Sequence, residues 1–150
     1  METIDPQLQS RVWQRVRGEE PKQGLSDTLK ALAAAKWQQA AAYLMLSRQL
    51  QGREKALVRR MFEEEQAQAA CVKGAYTMLT GEPLAARTPP PVPEAPETTL
   101  RKCYGRELRA LGQYEGLAEH SEYGPVFAKL AQQEREHCRL ILEVLGILRR

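Results

Sequence analysis

The sequence predicts an all-α protein: an antiparallel four-helix bundle with a long crossover between helices two and three, preceded by a short N-terminal helix. Three observations predict it. Four long segments carry apolar residues at three- and four-residue spacing, the period of a helix with one buried face. A proline-rich stretch, GEPLAARTPPPVPEAP, divides them two and two. The two halves also repeat. Lys36 is followed seven residues later by Tyr43, and Glu107 seven later by Tyr114, while E65-Q-A-Q68 corresponds to E134-R-E-H137. A helical hairpin packed on its own copy gives a pseudo-two-fold bundle in which equivalent positions converge.

Residues 5–17 (DPQLQSRVWQRVR) place Leu8, Val12, Trp13 and Val16 on one side of a short helix. It would cover one end of the bundle or protrude toward a partner. The following GEEPKQG marks a loop by its Gly and Pro. Residues 1–24 are thus expected as an N-terminal helix and loop, and 25–150 as the bundle, with its crossover at 80–97. The first long helix is expected over residues 26–50, with Leu29, Leu32, Lys36, Gln39, Tyr43, Leu46 and Leu50 inward. Gly52 permits a tight reversal into the second helix, over 53–79, with Val58, Met61, Glu65, Gln68, Val72, Tyr76 and Leu79 inward. So short a connection makes the two antiparallel neighbours.

The prolines that follow remove backbone donors and favour extended backbone. The stretch is read as a crossover rather than a disordered linker, because neither half alone offers more than a hairpin. A 25-residue helix is ~37 Å long, and sixteen extended residues reach ~50 Å. Thr98 or Thr99 is expected to cap the third helix, which runs to about residue 120 with Leu100, Cys103, Glu107, Leu111, Tyr114 and Ala118 inward. SEYGPV breaks the chain, with Pro125 suited to a first helical turn. The fourth helix then runs to residue 148 and turns Phe127, Leu130, Glu134, His137, Ile141, Val144 and Leu148 inward.

Composition narrows the function. At 150 residues, with 43% hydrophobic and 27% charged residues, the chain suits one domain with a core of its own. The net charge of +3 is spread among Glu and Gln along helical surfaces, which argues against nucleic-acid binding. No apolar run approaches the ~20 residues of a membrane span, and the N-terminus lacks the pattern of a secretion signal. Three widely spaced cysteines, Cys71, Cys103 and Cys138, form neither a disulfide framework nor a zinc pattern. They are read as small hydrophobes in a reducing compartment, and the cytoplasm is the expected location.

Ionisable groups within an apolar stripe cost several kcal/mol unless they are paired, hydrogen-bonded or metal-bound. Here four of them, Glu65, Glu107, Glu134 and His137, come from three helices. Such a set outlines a carboxylate-rich metal site. The symmetric positions for a fourth carboxylate and a second histidine hold Lys36 and Gln68 instead.

In these residues the chain resembles the ferritin-like superfamily, and within it the small rubrerythrin-like di-iron carboxylate domains. The resemblance runs from about Lys30 to Leu145. It is carried by FAKLAQQEREHCRLILEVL, by YGRELRALGQYEGLAE and, without its histidine, by MFEEEQAQAACVKGAYTML. It implies a ferritin-like bundle in which Glu107 is a terminal ligand, Glu65 and Glu134 are bridging ligands, and His137 completes one metal position. Tyr43 and Tyr114 would stand beside these ligands. Both departures, Lys36 and Gln68, fall on the other metal position. The family's activity, peroxide reduction or ferrous oxidation by an iron pair, is therefore expected to be weakened or lost. No C-x-x-C pair offers an electron-transfer module, and no catalytic residue is assigned.

Three states remain open: one iron or manganese ion, a metal-free network of Lys36 with the carboxylates, or a di-metal site completed by Glu64 or Gln68. The expectation is one ion or none per chain. The rival reading is a metal-free, non-catalytic bundle acting as a structural or protein-interaction module. A homo-oligomer is expected, a dimer or a domain-swapped exchange of hairpins among its forms, with neither nucleic acid nor membrane as partner.

Overall fold

A computed structural model describes residues 20–85 and 89–150. The short helix expected over 5–17 lies outside the described residues. Four helices follow one another: α1 (Glu20–Gln49), α2 (Gly52–Thr80), α3 (Pro96–His120) and α4 (Gly124–Leu148). They form an all-α four-helix bundle. Within it α1 packs on α2 and α3, and α4 packs on α2 and α3, so the two hairpins embrace within one chain.

Two helix starts differ from the sequence expectation. The first helix already includes Glu20, six residues before its expected start, and runs through Pro21 and Gly24, which had predicted a loop. Proline is tolerated in a first helical turn, whose N–H groups have no intrahelical partner. The third helix begins at Pro96, by the same rule, and is not capped by Thr98 or Thr99. Thr99 already lies in its first turn, its N–H donating to Ala95 O at 3.1 Å.

The turns fall where glycine is needed. Gly52 (φ 61°) and Gly81 (φ 75°) both adopt the left-handed conformation that L side chains disfavour. Gly81 ends α2, its N–H donating to Thr77 O at 2.7 Å. The crossover then returns to the opposite end of the bundle, where Gln49 Nε2, at the end of α1, donates to Glu94 O at 3.3 Å. Leu84 anchors the crossover by burying its side chain in the core.

The core has two apolar layers. One gathers Leu46, Val58, Met61, Leu100, Ile141 and Val144. The other gathers Leu29, Leu32, Val72, Tyr114, Phe127 and Ala131. Each inward stripe passes through both layers, and between them each helix contributes the charged residue that interrupts its stripe.

Candidate metal centre

The polar layer holds Lys36 from α1, Glu65 and Gln68 from α2, Glu107 from α3, and Glu134 and His137 from α4. All six are at most 1% exposed. The structure thus brings together every site residue read from the sequence. The ligand atoms of Glu65, Glu107, Glu134 and His137 lie within 4.8 Å of one another.

The Lys36 ammonium occupies one side of the cluster. Its three N–H groups serve three carboxylates: Glu134 Oε1 at 2.8 Å, Glu65 Oε1 at 3.3 Å and Glu107 Oε1 at 3.4 Å. Glu65 Oε2 is also 3.1 Å from Nζ but accepts no hydrogen bond, nor does Glu134 Oε2. Burial alone would lower the ammonium's pKa. The charges of Glu65, Glu107 and Glu134 outweigh burial and raise it. The Tyr114 ring adds a cation–π contact, 5.7 Å from Nζ to its centroid.

His137 joins two of the same carboxylates. Nδ1 is 2.7 Å from Glu107 Oε2 and 3.2 Å from Glu65 Oε1, while Nε2 is 2.7 Å from Glu64 Oε1. Burial opposes the imidazolium, but its bonds to Glu107 and Glu65 prevail and push its pKa up to about 11. Both nitrogens then donate to carboxylates. Burial, and then the neighbouring Glu107, push Glu134 up to about 7. Burial likewise raises Glu107. Three carboxylates facing two cations thus approach charge balance by retaining a proton near neutrality.

The tyrosines flank the layer. Tyr43 meets His137 edge to face, ring centroids 6.4 Å apart. Tyr114 OH donates to Gln68 Oε1 at 2.9 Å, and Gln68 Nε2 donates to Gln133 Oε1 at 2.8 Å. Burial raises both phenols, so they stay neutral. Gln68, where the repeat calls for histidine, is thus committed to Tyr114 and Gln133.

Two participants were missed. Gln39 Nε2 donates to Glu107 Oε1 at 2.8 Å, to Cys103 O at 2.9 Å and to Tyr43 OH at 3.1 Å. Its signal was a second polar residue in the inward stripe, three positions after Lys36. Glu64 was read only as a substitute ligand, whereas it is the acceptor on the far nitrogen of His137. That partner is set by how α2 faces α4.

The donor set is compatible with a metal cation. An octahedral ion with ligands at about 2.1 Å places neighbouring donors about 3 Å apart. The separations of His137 Nδ1 from Glu107 Oε2 and Glu65 Oε1 bracket that spacing. The Lys36 ammonium already places one positive charge among the same carboxylates.

No family model and no curated protein matches the sequence. Among solved structures, the chain is similar to one described as a dodecameric thioferritin in the bacterial domain, the bacterioferritin-related protein from Bacteroides fragilis. The two share 20% identity over 86% of this chain and 88% of that one, with a TM-score of 0.72. That likeness shows the fold, which is ferritin-like.

Proposed function

We propose that this ferritin-like bundle is an iron-handling protein that holds one iron or manganese ion per chain, with Lys36 standing in for the second cation of a di-metal site. The observation that carries this reading is the position of Lys36 Nζ, within 3.4 Å of all three buried carboxylates. Glu65, Glu107, Glu134 and His137 would hold the ion, and Glu64 would orient His137 through its other nitrogen. Three carboxylates and one imidazole suit iron or manganese.

The ion would supply one-electron redox chemistry or Lewis acidity. Around it, the chain's own groups orient the carboxylates and balance their charge. Lys36 neutralises them from within the core, Gln39 fixes the Glu107 carboxylate, and Tyr43 covers the His137 ring. Chemistry shared between two adjacent ions is absent from this reading, which departs there from a rubrerythrin-like enzyme. Self-association into a homo-oligomer belongs to the proposal. It is supported by the dodecameric description of the structurally similar protein.

A metal-free structural bundle is the second reading. It is favoured by one observation: Lys36 and His137 already donate to the cluster's carboxylates. Anaerobic titration with ferrous iron, followed by elemental analysis, separates the readings. One ion per chain, lost in His137→Ala, is the expected result. No bound ion would support the metal-free bundle. Two tightly held ions in the unaltered chain would overturn the argument from Lys36. The double variant Lys36→Glu with Gln68→His restores the missing ligands and is expected to bind a second ion.

A further inference from the structure

The outer face of α1 differs from those of the later helices. Between Lys30 and Arg48 the single charged residue is Lys36, which is buried in the polar layer. The solvent-facing line of the helix over that stretch is Ala31, Ala34, Gln38, Ala41 and Met45, the first three exposed and the last two half-buried. Trp37 and Leu44, also half-buried, widen the face. Beside Met45, lining the same cavity, stands Val92 of the crossover, 73% exposed. Helices that face water carry charged residues on that side, and α3 and α4 do so. Their exposed Leu108 and Leu142 stand among Arg109, Arg135 and Arg139. An uncharged, largely apolar run of this length is the mark of a surface that another protein surface covers.

The ends of the line identify the occupant. Its members follow one another in alternating steps of four and three residues, the spacing that keeps one face turned to a partner helix at a shallow crossing angle. The same steps reach Asp27 at one end and Arg48 at the other, both exposed. A second copy turned end for end about Gln38 matches this line throughout. Asp27 lies eleven residues before Gln38 and Arg48 ten after it, so each carboxylate meets the copy's guanidinium. Ala31 and Met45 lie seven residues to either side and pair a small residue with a large one. Ala34 and Ala41 lie four before and three after, and pair two methyl groups where the helices come closest. A parallel copy would set Asp27 on Asp27 and Arg48 on Arg48. A partner of one charge would satisfy one end and oppose the other.

We propose that the outer face of α1 is where two copies of this chain meet, antiparallel about a two-fold axis at Gln38. The contact rests on the self-association included in the proposed function and gives it a surface and a register. It uses no ligand of the proposed ion.

Sedimentation of the full, metal-free chain at micromolar concentration should show a dimer or a larger even-numbered assembly. Ala34→Glu puts an unpaired carboxylate at the centre of the contact and should weaken association by at least about a hundredfold. Ala34 is exposed in the single chain, so circular dichroism should show unchanged helix content. Asp27→Arg or Arg48→Asp alone should weaken association by about tenfold, because like charges then meet. The two combined should restore it. In a Cys71→Ser background, Gln38→Cys should form a disulfide between copies under a mild oxidant, since residues on the axis come within reach of one.

An assembly that persists in Ala34→Glu would overturn this contact and leave self-association standing, whereas a monomeric unaltered chain would overturn both. Failure of the double charge reversal to restore association, or absence of the Gln38→Cys disulfide, would each overturn the antiparallel arrangement proposed. A monomer whose melting temperature falls in Ala34→Glu would make residues 5–17 of the same chain the occupant and sink the proposal. Ion stoichiometry is read by a separate titration and is untouched by any of these outcomes.

Discussion

Lys36 carries the largest consequence of any single side chain. Removing one partner from a buried ion network typically costs about 3–5 kcal/mol, because the remaining charges stay buried without compensation. Lys36→Met is expected to lower the stability of the metal-free protein by about that amount in urea unfolding at pH 8. Added manganese should recover part of it. The pH dependence has a definite sign. Glu134 titrates near 7 in the folded chain against an ordinary 4.5, so between those values the folded state holds a proton the unfolded state has lost. Stability falls as pH rises through that window. His137, raised from 6.5 to about 11, contributes stability that is complete below pH 6.5 and lost as pH climbs to 11. The metal-free chain should therefore unfold progressively more easily from mildly acidic to strongly alkaline pH. Ion binding must displace the His137 proton, so its apparent affinity should rise with pH, with proton release detectable by calorimetry in buffers of different ionisation enthalpy. The charged residues of this layer were legible in the sequence because a charge in an apolar stripe has few innocent explanations. Gln39 was not, because an uncharged amide there reads equally well as the border of the stripe.

At the scale of the helices, boundaries were harder to read than faces. Pro21 and Gly24 look like a loop in isolation, yet α1 runs through both, held by the packing of its later turns. The glycines give a sharper test. A methyl group at Gly124 would stand 2.7 Å from the Ala118 carbonyl oxygen, where the chain folds from α3 into α4. Gly124→Ala is expected to destabilise the protein by about 1–3 kcal/mol, as overpacking does. Gly112, inside α3, has open space around it. Gly112→Ala should raise stability by about 0.5–1 kcal/mol, the helical preference of alanine over glycine. Thermal unfolding of the two variants side by side would show shifts of opposite sign. Leu84 ties the crossover down, and Leu84→Ala should cost about 2–5 kcal/mol, with earlier proteolytic cleavage in the proline-rich stretch.

At the scale of the molecule, the repeat in the sequence predicted the architecture, because two hairpins that each expose half a core can only satisfy one another. A chain of residues 20–85 alone would leave Lys36 and Glu65 on a bare apolar face. It is expected to show little helix by circular dichroism and no slow amide exchange. Mixing it with residues 89–150 should restore both signals. What the sequence could not give was the reach of Lys36 across the axis to Glu134 on the diagonally opposite helix, a distance no one-dimensional pattern contains.

The polar layer between the two apolar layers also bears on how unambiguous the fold is. Apolar stripes alone tolerate sliding, since a helix displaced by one turn, about 5.4 Å, still presents leucine to leucine. With Lys36 tied to three helices at once, the same slip would strand every charge in hydrocarbon. The layer acts as a pin that sets the alignment of all four helices, a role attested for buried polar groups in coiled coils. Replacing its five charged members together by leucine or methionine should give a bundle harder to melt but less singular. Broadened side-chain resonances and several slowly exchanging conformers would mark that loss of uniqueness, while one sharp set of resonances would show that the apolar layers already fix the alignment.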